Sequence, residues 1–179
     1  MEGYRLNRLF SREEVVSTIK RLAEQISRDY RDRELVLVCI LKGAFMFLSD
    51  LVRELQIPVK IDFVRLASYG SGMKSSASIE ITKDIELPIE GKDVLIIEDI
   101  VDSGRTLQFL KDRLSLANPR SVKICALLDK KARREVEIEV DYLGKEVEDV
   151  FVVGNGIDFN EAYRYLPDIH YVTPIDHKR

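Results

Sequence analysis

The stretch VLIIEDIVDSGRT, residues 94–106, decides how the rest of the chain is organised. Its first four residues, Val94, Leu95, Ile96 and Ile97, are apolar without a break, the pattern of a short strand buried on both faces of a sheet. Glu98 and Asp99 follow at once, where that strand is expected to end. Ile100 and Val101 lead into Asp102-Ser103-Gly104-Arg105-Thr106, and Leu107, Leu110, Leu114 and Ala117 then recur on one face of an expected amphipathic helix. A strand, a short polar loop with one glycine and a helix N-terminus describe an anion site, because loop N–H groups and the positive end of the helix dipole converge on a phosphate. The loop is not a Walker A, since G-x-x-x-x-G-K-[ST] occurs nowhere in the chain. Three carboxylates, Glu98, Asp99 and Asp102, sit just before this nest. They would repel a phosphate unless they serve something else: ribose hydroxyls, a divalent cation or a transferable proton. The plainer alternative is a solvated acidic turn after a buried strand.

Working outward, residues 35–41, LVLVCIL, form a second unbroken apolar run suited to a central parallel strand. Lys42-Gly43 stands at its carboxyl end, before a helix expected over 44–55. The glycine permits close backbone approach and the lysine adds charge, which suits a second anion contact, although Lys-Gly is also a common surface turn. A third run, 122–128, ends at Asp129-Lys130-Lys131. In open α/β sheets ligands bind outside the carboxyl ends of the strands. Lys42, Glu98, Asp99, Asp102 and Lys130 therefore gather on one rim if the strands are parallel neighbours, as the β-α alternation implies.

Residues 11–30 read as a helix opened by a capping box, Ser11 with Glu14, with Val15, Ile19, Leu22, Ala23 and Ile26 facing inward. Residues 59–66 alternate as a strand, and 79–85 alternate again. Between them, 67–78 (ASYGSGMKSSAS) is rich in Gly and Ser, the composition of a mobile loop joining two antiparallel arms, with Tyr69 large enough to cover a ligand. In the last third, 140–143 and 150–153 are short β-like pieces without a long helix between them, expected as a small added subdomain. Gly154-Asn155-Gly156, Asp158 and Arg164 follow; Phe151 reads most simply as core and Asp158 as a turn residue.

At 179 residues the chain fits one domain with a sizeable core. A net charge of −3 and a pI near 5.6 offer no general attraction to nucleic acid or to an anionic membrane. No apolar run reaches the ~20 residues of a membrane span, and no apolar signal-peptide core opens the chain. Cys39 and Cys125 each lie inside an apolar run, as small core residues without metal-ligand spacing, which makes a reducing cytoplasm the expected compartment.

The 94–106 motif resembles the 5-phosphoribosyl-1-pyrophosphate (PRPP) signature of the type I phosphoribosyltransferases. Taken with Lys42-Gly43, Ser68-Tyr69, Lys130, Phe151-Val152-Val153-Gly154, Asp158 and Arg164, in this order, the chain resembles the hypoxanthine-guanine branch, which acts on 6-oxopurines. The likeness runs from the first helix to about Pro174. It implies an α/β fold: a Rossmann-like central parallel sheet flanked by helices (core about 11–135), a small hood from about 136–179 with the N-terminal residues, and a mobile antiparallel lid loop over 67–84.

The resemblance also implies roles. Glu98 and Asp99 would hold the ribose hydroxyls, directly or through Mg2+, and Asp158 would approach a second Mg2+. Asp102 would take a proton at purine N7, while Asp102, Ser103, Gly104, Arg105 and Thr106 would cradle the 5′-phosphate. Lys42, Gly43 and Arg164 would bind pyrophosphate, where the family often has a cis peptide before the lysine. Lys130 would meet the purine 6-oxo group, Phe151 would stack on the ring, Val152 would meet its edge through the backbone, and Ser68 and Tyr69 would belong to the lid. The implied activity is purine salvage by a Mg2+-dependent pentosyltransferase using PRPP and hypoxanthine or guanine, without nucleic acid or membrane, as a homodimer or homotetramer. The alternatives are a PRPP-binding transcriptional or RNA-binding regulator and a phosphoribosyltransferase for xanthine or another base. Two positions depart from the family: Arg105 stands where lysine is frequent, and Asn155, where an aromatic is common, bears on base choice.

Overall fold

A computed structural model describes residues 3–69 and 78–175. Six strands form the main sheet: β2 (Leu35–Leu41), β3 (Val59–Tyr69), β4 (Ser78–Lys83), β5 (Asp93–Val101), β6 (Ser121–Asp129) and β7 (Tyr142–Glu146). Their order is β4-β3-β2-β5-β6-β7, parallel except for β4, which folds back antiparallel on β3. β1 (Tyr4–Phe10), β8 (Phe151–Val153) and β9 (Ile169–Pro174) make a second, antiparallel sheet ordered β1-β9-β8.

The apolar runs build the centre because alternate side chains face opposite layers. Leu35, Leu37 and Cys39 of β2, Leu95 and Ile97 of β5 and Cys125 and Leu127 of β6 pack with Ile19, Leu22 and Ile26 of α1 (Arg12–Asp29) and Phe47 and Leu51 of α2 (Phe45–Glu54). The intervening Val36, Val38, Val94, Ile96, Ile124 and Ala126 pack on the other side with Leu107, Leu110 and Leu114 of α3 (Arg105–Ser115). Both cysteines are buried and free. Burial, then the Glu98 and Asp99 charges, push the Cys39 thiol up to about 12, and burial raises that of Cys125 as well, so both stay protonated packing groups. Ser11 caps α1 in a complete capping box with Glu14.

Three elements differ from the expectation. β5 does not stop before the acidic pair: it leaves β2 at Cys39↔Ile97 but stays paired with β6 as far as Val101↔Asp129, which carries Glu98 and Asp99 inside the strand. Residues 142–146 join the main sheet as β7 instead of the small subdomain, so the boundary between the two sheets falls after Glu146 rather than near residue 136. Gly144 makes that pairing possible, since a Cβ there would lie 2.2 Å from the Leu127 carbonyl oxygen. Ala117 lies beyond the end of α3.

The antiparallel arms meet at Ser68↔Ile79 and Tyr69↔Ser78, while 70–77, the centre of the expected lid, lie outside the described residues. Among the described residues no helix is long and apolar enough to cross a membrane.

Candidate active site

The carboxyl ends of β2, β5 and β6 are adjacent, and each delivers motif residues to one rim. The Leu41–Lys42 peptide is cis. Beyond it, Gly43 lies against the strand carrying the acidic pair: a Cβ on Gly43 would fall 1.7 Å from Asp99 Oδ2. Asp99 is buried, and its Oδ1 accepts the Ile100 N–H at 2.7 Å. Burial, then the neighbouring Asp99 charge, raise the Glu98 carboxyl well above its usual range. These two adjacent carboxylates near the carboxyl end of β5 are hard-oxygen donors, a type suited to a divalent cation or to ribose hydroxyls.

After β5 the chain turns at Gly104, whose φ of +83° is a left-handed conformation that suits glycine. Gly104 begins α3 without a side-chain cap. The helix N-terminus therefore offers backbone N–H groups and the positive dipole end to an anion. The loop is braced from behind, because the Ser103 carbonyl accepts N–H donors from Glu135 and Val136 at 2.9 and 3.1 Å. Arg105 also pairs with Glu135 at 2.5 Å. A depression of about 160 Å³ over this turn is lined by Glu98, Asp102, Ser103, Gly104 and Thr106.

Asp102 is one of its lining residues. Its Oδ1 is buried and accepts no hydrogen bond among the described residues, while Oδ2 lies 3.6 Å from Arg133 Nη1. A carboxylate lining this depression is a group that can accept a proton from a bound N–H. Lys130 is buried at the end of β6, tied to β5 by its backbone N–H to the Val101 carbonyl at 2.9 Å. The preceding Asp129 is buried and ion-paired with Arg134. Burial raises the Asp129 carboxyl despite that partner.

The segment between β8 and β9 meets the Lys42–Gly43 turn at Gly156 and Glu161. The Phe151 ring is half exposed and packs edge-on against Phe159, with ring centroids 5.1 Å apart. Val152 is buried beside it. Gly156, at φ +99°, lies over the Lys42–Gly43 turn: a Cβ there would stand 2.1 Å from the Gly43 carbonyl oxygen. Arg164 Nη1 donates to the Gly156 carbonyl at 2.7 Å, and its Nη2 is 2.8 Å from Asp158.

Glu161 and Arg133 were missed by sequence reasoning. Glu161 bridges Lys42 and Arg164 at 2.7 and 3.2 Å, and those two cations hold its carboxyl below the usual range. Its only sequence signal was the acidic-basic spacing with Arg164, since Lys42 is remote in the chain. Arg133 had none beyond lying in a basic run. Among the described residues, no three Asp, Glu, His or Cys side chains converge tightly enough to hold a metal by themselves.

Asn155 is buried and lines a separate groove of about 470 Å³ with Phe45, Met46, Tyr165 and Leu166, which contains none of the motif residues.

A parallel sheet with helices on both faces, an acidic pair near the carboxyl end of β5 and the α3 N-terminus beside it defines an α/β protein of the kind that takes ligands at the carboxyl edge of its strands. The sequence matches the phosphoribosyl transferase domain family over residues 6–160. It is 47% identical over 165 residues to the hypoxanthine phosphoribosyltransferase of Salmonella typhimurium, covering 91% of this chain and 93% of that one. A crystal structure of a hypoxanthine-guanine phosphoribosyltransferase from Bacillus anthracis superposes with a TM-score of 0.89 at 42% identity, covering 95% of this chain and 99% of that one. The hypoxanthine phosphoribosyltransferase of Trypanosoma cruzi, in complex with its product IMP, superposes with a TM-score of 0.87 at 38% identity, covering 96% and 95%. The chain belongs to the phosphoribosyltransferase family.

Proposed function

We propose that the protein transfers the phosphoribosyl group of PRPP to a 6-oxopurine, hypoxanthine or guanine, giving IMP or GMP and pyrophosphate in purine salvage. The observation that carries this reading is the convergence of Lys42-Gly43, Glu98-Asp99-Asp102 and Lys130 from three neighbouring parallel strands onto one rim. The relatives' names support the same reaction.

In the reaction, purine N9 bonds to C1 of the ribose as the bond from C1 to the pyrophosphate oxygen breaks, and the proton on N7 passes to Asp102. The loosening bond builds positive charge on the ribose and negative charge on the leaving oxygens. Lys42 and Arg164 face the leaving group, the α3 N-terminus holds the 5′-phosphate, Lys130 meets the 6-oxo group and Phe151 offers its exposed ring to the purine. Glu98, Asp99 and Asp158 are hard-oxygen donors that would hold Mg2+. Bound there, it would supply charge neutralisation to the phosphates. The accompanying quaternary reading is a homodimer or homotetramer, for which Val16, Phe45 and Tyr165 offer exposed apolar surface.

The test is nucleotide formation with PRPP, Mg2+ and a panel of bases. Product with hypoxanthine or guanine is expected; no product with these or with xanthine would sink the proposal.

A further inference from the structure

The two cations assigned to the leaving pyrophosphate are already occupied. Glu161 Oε1 lies 2.7 Å from Lys42 Nζ, and Glu161 Oε2 lies 3.2 Å from Arg164 Nη2. One carboxylate thus spans both groups, as a pyrophosphoryl oxygen pair would. We infer that Glu161 is an internal competitor for the pyrophosphate subsite, an acidic side chain that PRPP displaces on binding and that re-engages Lys42 and Arg164 as pyrophosphate departs. This rests on the assignment of Lys42 and Arg164 to pyrophosphate.

The geometry makes the exchange a side-chain movement. The Glu161 backbone is anchored, because its N–H donates to Asp158 Oδ2 at 2.8 Å. Glu161 and the preceding Asn160 adopt left-handed conformations, φ +62° and +51°, uncommon for side-chain-bearing residues, so the turn is specifically shaped to present this carboxylate. Arg164 does not need Glu161 to stay in place: it donates to the Gly156 carbonyl at 2.7 Å and pairs with Asp158 at 2.8 Å. Lys42, by contrast, has Glu161 as its one ion-pair partner among the described residues. Both side chains of that pair are at least half exposed, which keeps the contact weak enough for a multiply charged ligand to break.

The experiment is calorimetric titration of the full-length protein and its Glu161→Gln variant with two probes, PRPP plus Mg2+ and ribose 5-phosphate. The substitution keeps the shape and removes the charge at an exposed position. PRPP is expected to bind about 3- to 10-fold more tightly to the variant, the range set by losing two weak, solvent-screened pairs, while ribose 5-phosphate affinity stays unchanged. Unchanged or weaker PRPP binding overturns the inference, as does an equal gain for ribose 5-phosphate, which would mark a general charge effect. Lys42→Ala separates the two layers. It should weaken PRPP binding, and Glu161→Gln should gain less in that background. If Lys42→Ala leaves PRPP binding intact, the subsite assignment itself fails. If it weakens binding while Glu161→Gln brings no gain, only the competitor role fails.

Discussion

Gly43 and Asp99 come from different strand ends, yet a single added carbon on Gly43 would fall 1.7 Å from Asp99 Oδ2. Asp99 has little freedom to retreat, being buried and engaged with the Ile100 N–H. Gly156 closes the turn from the other side at the Gly43 carbonyl. Gly43→Ala must therefore displace either the Lys42–Gly43 turn or the acidic pair. A shift of ~1 Å in positioning groups costs ~10²-fold in rate. We expect kcat/KM for PRPP to fall by about that factor, with a melting temperature below the parent's because the displaced groups are packed. Steady-state kinetics beside a thermal melt check it, and full activity would refute the close approach.

Asp102 has the one unpartnered buried carboxylate oxygen on the rim among the described residues. Asp102→Asn preserves shape but cannot take a proton, so the loss should fall on kcat, by ~10²-fold or more, with PRPP affinity changed far less. Single-turnover rates measured beside PRPP titration separate the two. Equal turnover removes the base role.

The central sheet was legible because β2 and the middles of β5 and β6 are buried on both faces and so are written as apolar stretches, LVLVCIL, VLII and ICALL. The α1 cap was legible because Ser11 and Glu14 interact locally. What stayed hidden depends on distant partners. β1, Tyr4–Phe10, is a strand because β9 pairs with it residue by residue, and YRLNRLF alone carries no clean period of two. β7 enters the main sheet through Gly144, whose value shows only when Leu127 lies across from it. The rim divides the same way. Its members follow recognisable strands, but the Lys42–Glu161 contact joins positions 119 residues apart, which no local pattern could announce.

Asp62 gives a stability prediction separate from the chemistry. Burial alone would raise its carboxyl, but N–H donors from Leu87, Glu86 and Phe63, then the Lys83 charge, outweigh burial and hold it below its usual value. A folded-state pKa depressed below the unfolded ~3.9 means that the unfolded chain takes up the proton first as pH falls. The contribution is thus complete above about pH 4 and is lost as pH falls further, through the folded value. Asp62→Asn should cost ~1.5–3 kcal/mol at pH 7, the range for hydrogen bonds to a charged group. Denaturant unfolding of both proteins from pH 7 to 3 should show that gap narrowing only below about pH 4. A gap independent of pH would contradict the ionised, hydrogen-bonded carboxylate.

In the proposed reaction Lys130 would bear on base choice. Its side chain is buried at the end of β6, its backbone is fastened to Val101, and among the described residues its ammonium has no carboxylate partner. An ammonium without a carboxylate partner favours a ligand carrying an acceptor and penalises one that presents an amino group, since two donors then face each other. Removing it should hurt the accepted base more than the rejected one. Lys130→Ala is expected to lower kcat/KM for hypoxanthine by ~10- to 100-fold, the cost of one charge-assisted hydrogen bond, while barely changing the residual rate with adenine. The ratio of the two specificity constants is the quantity to measure. A ratio equal to the parent's would move the discrimination away from Lys130 to the Phe151–Val153 edge.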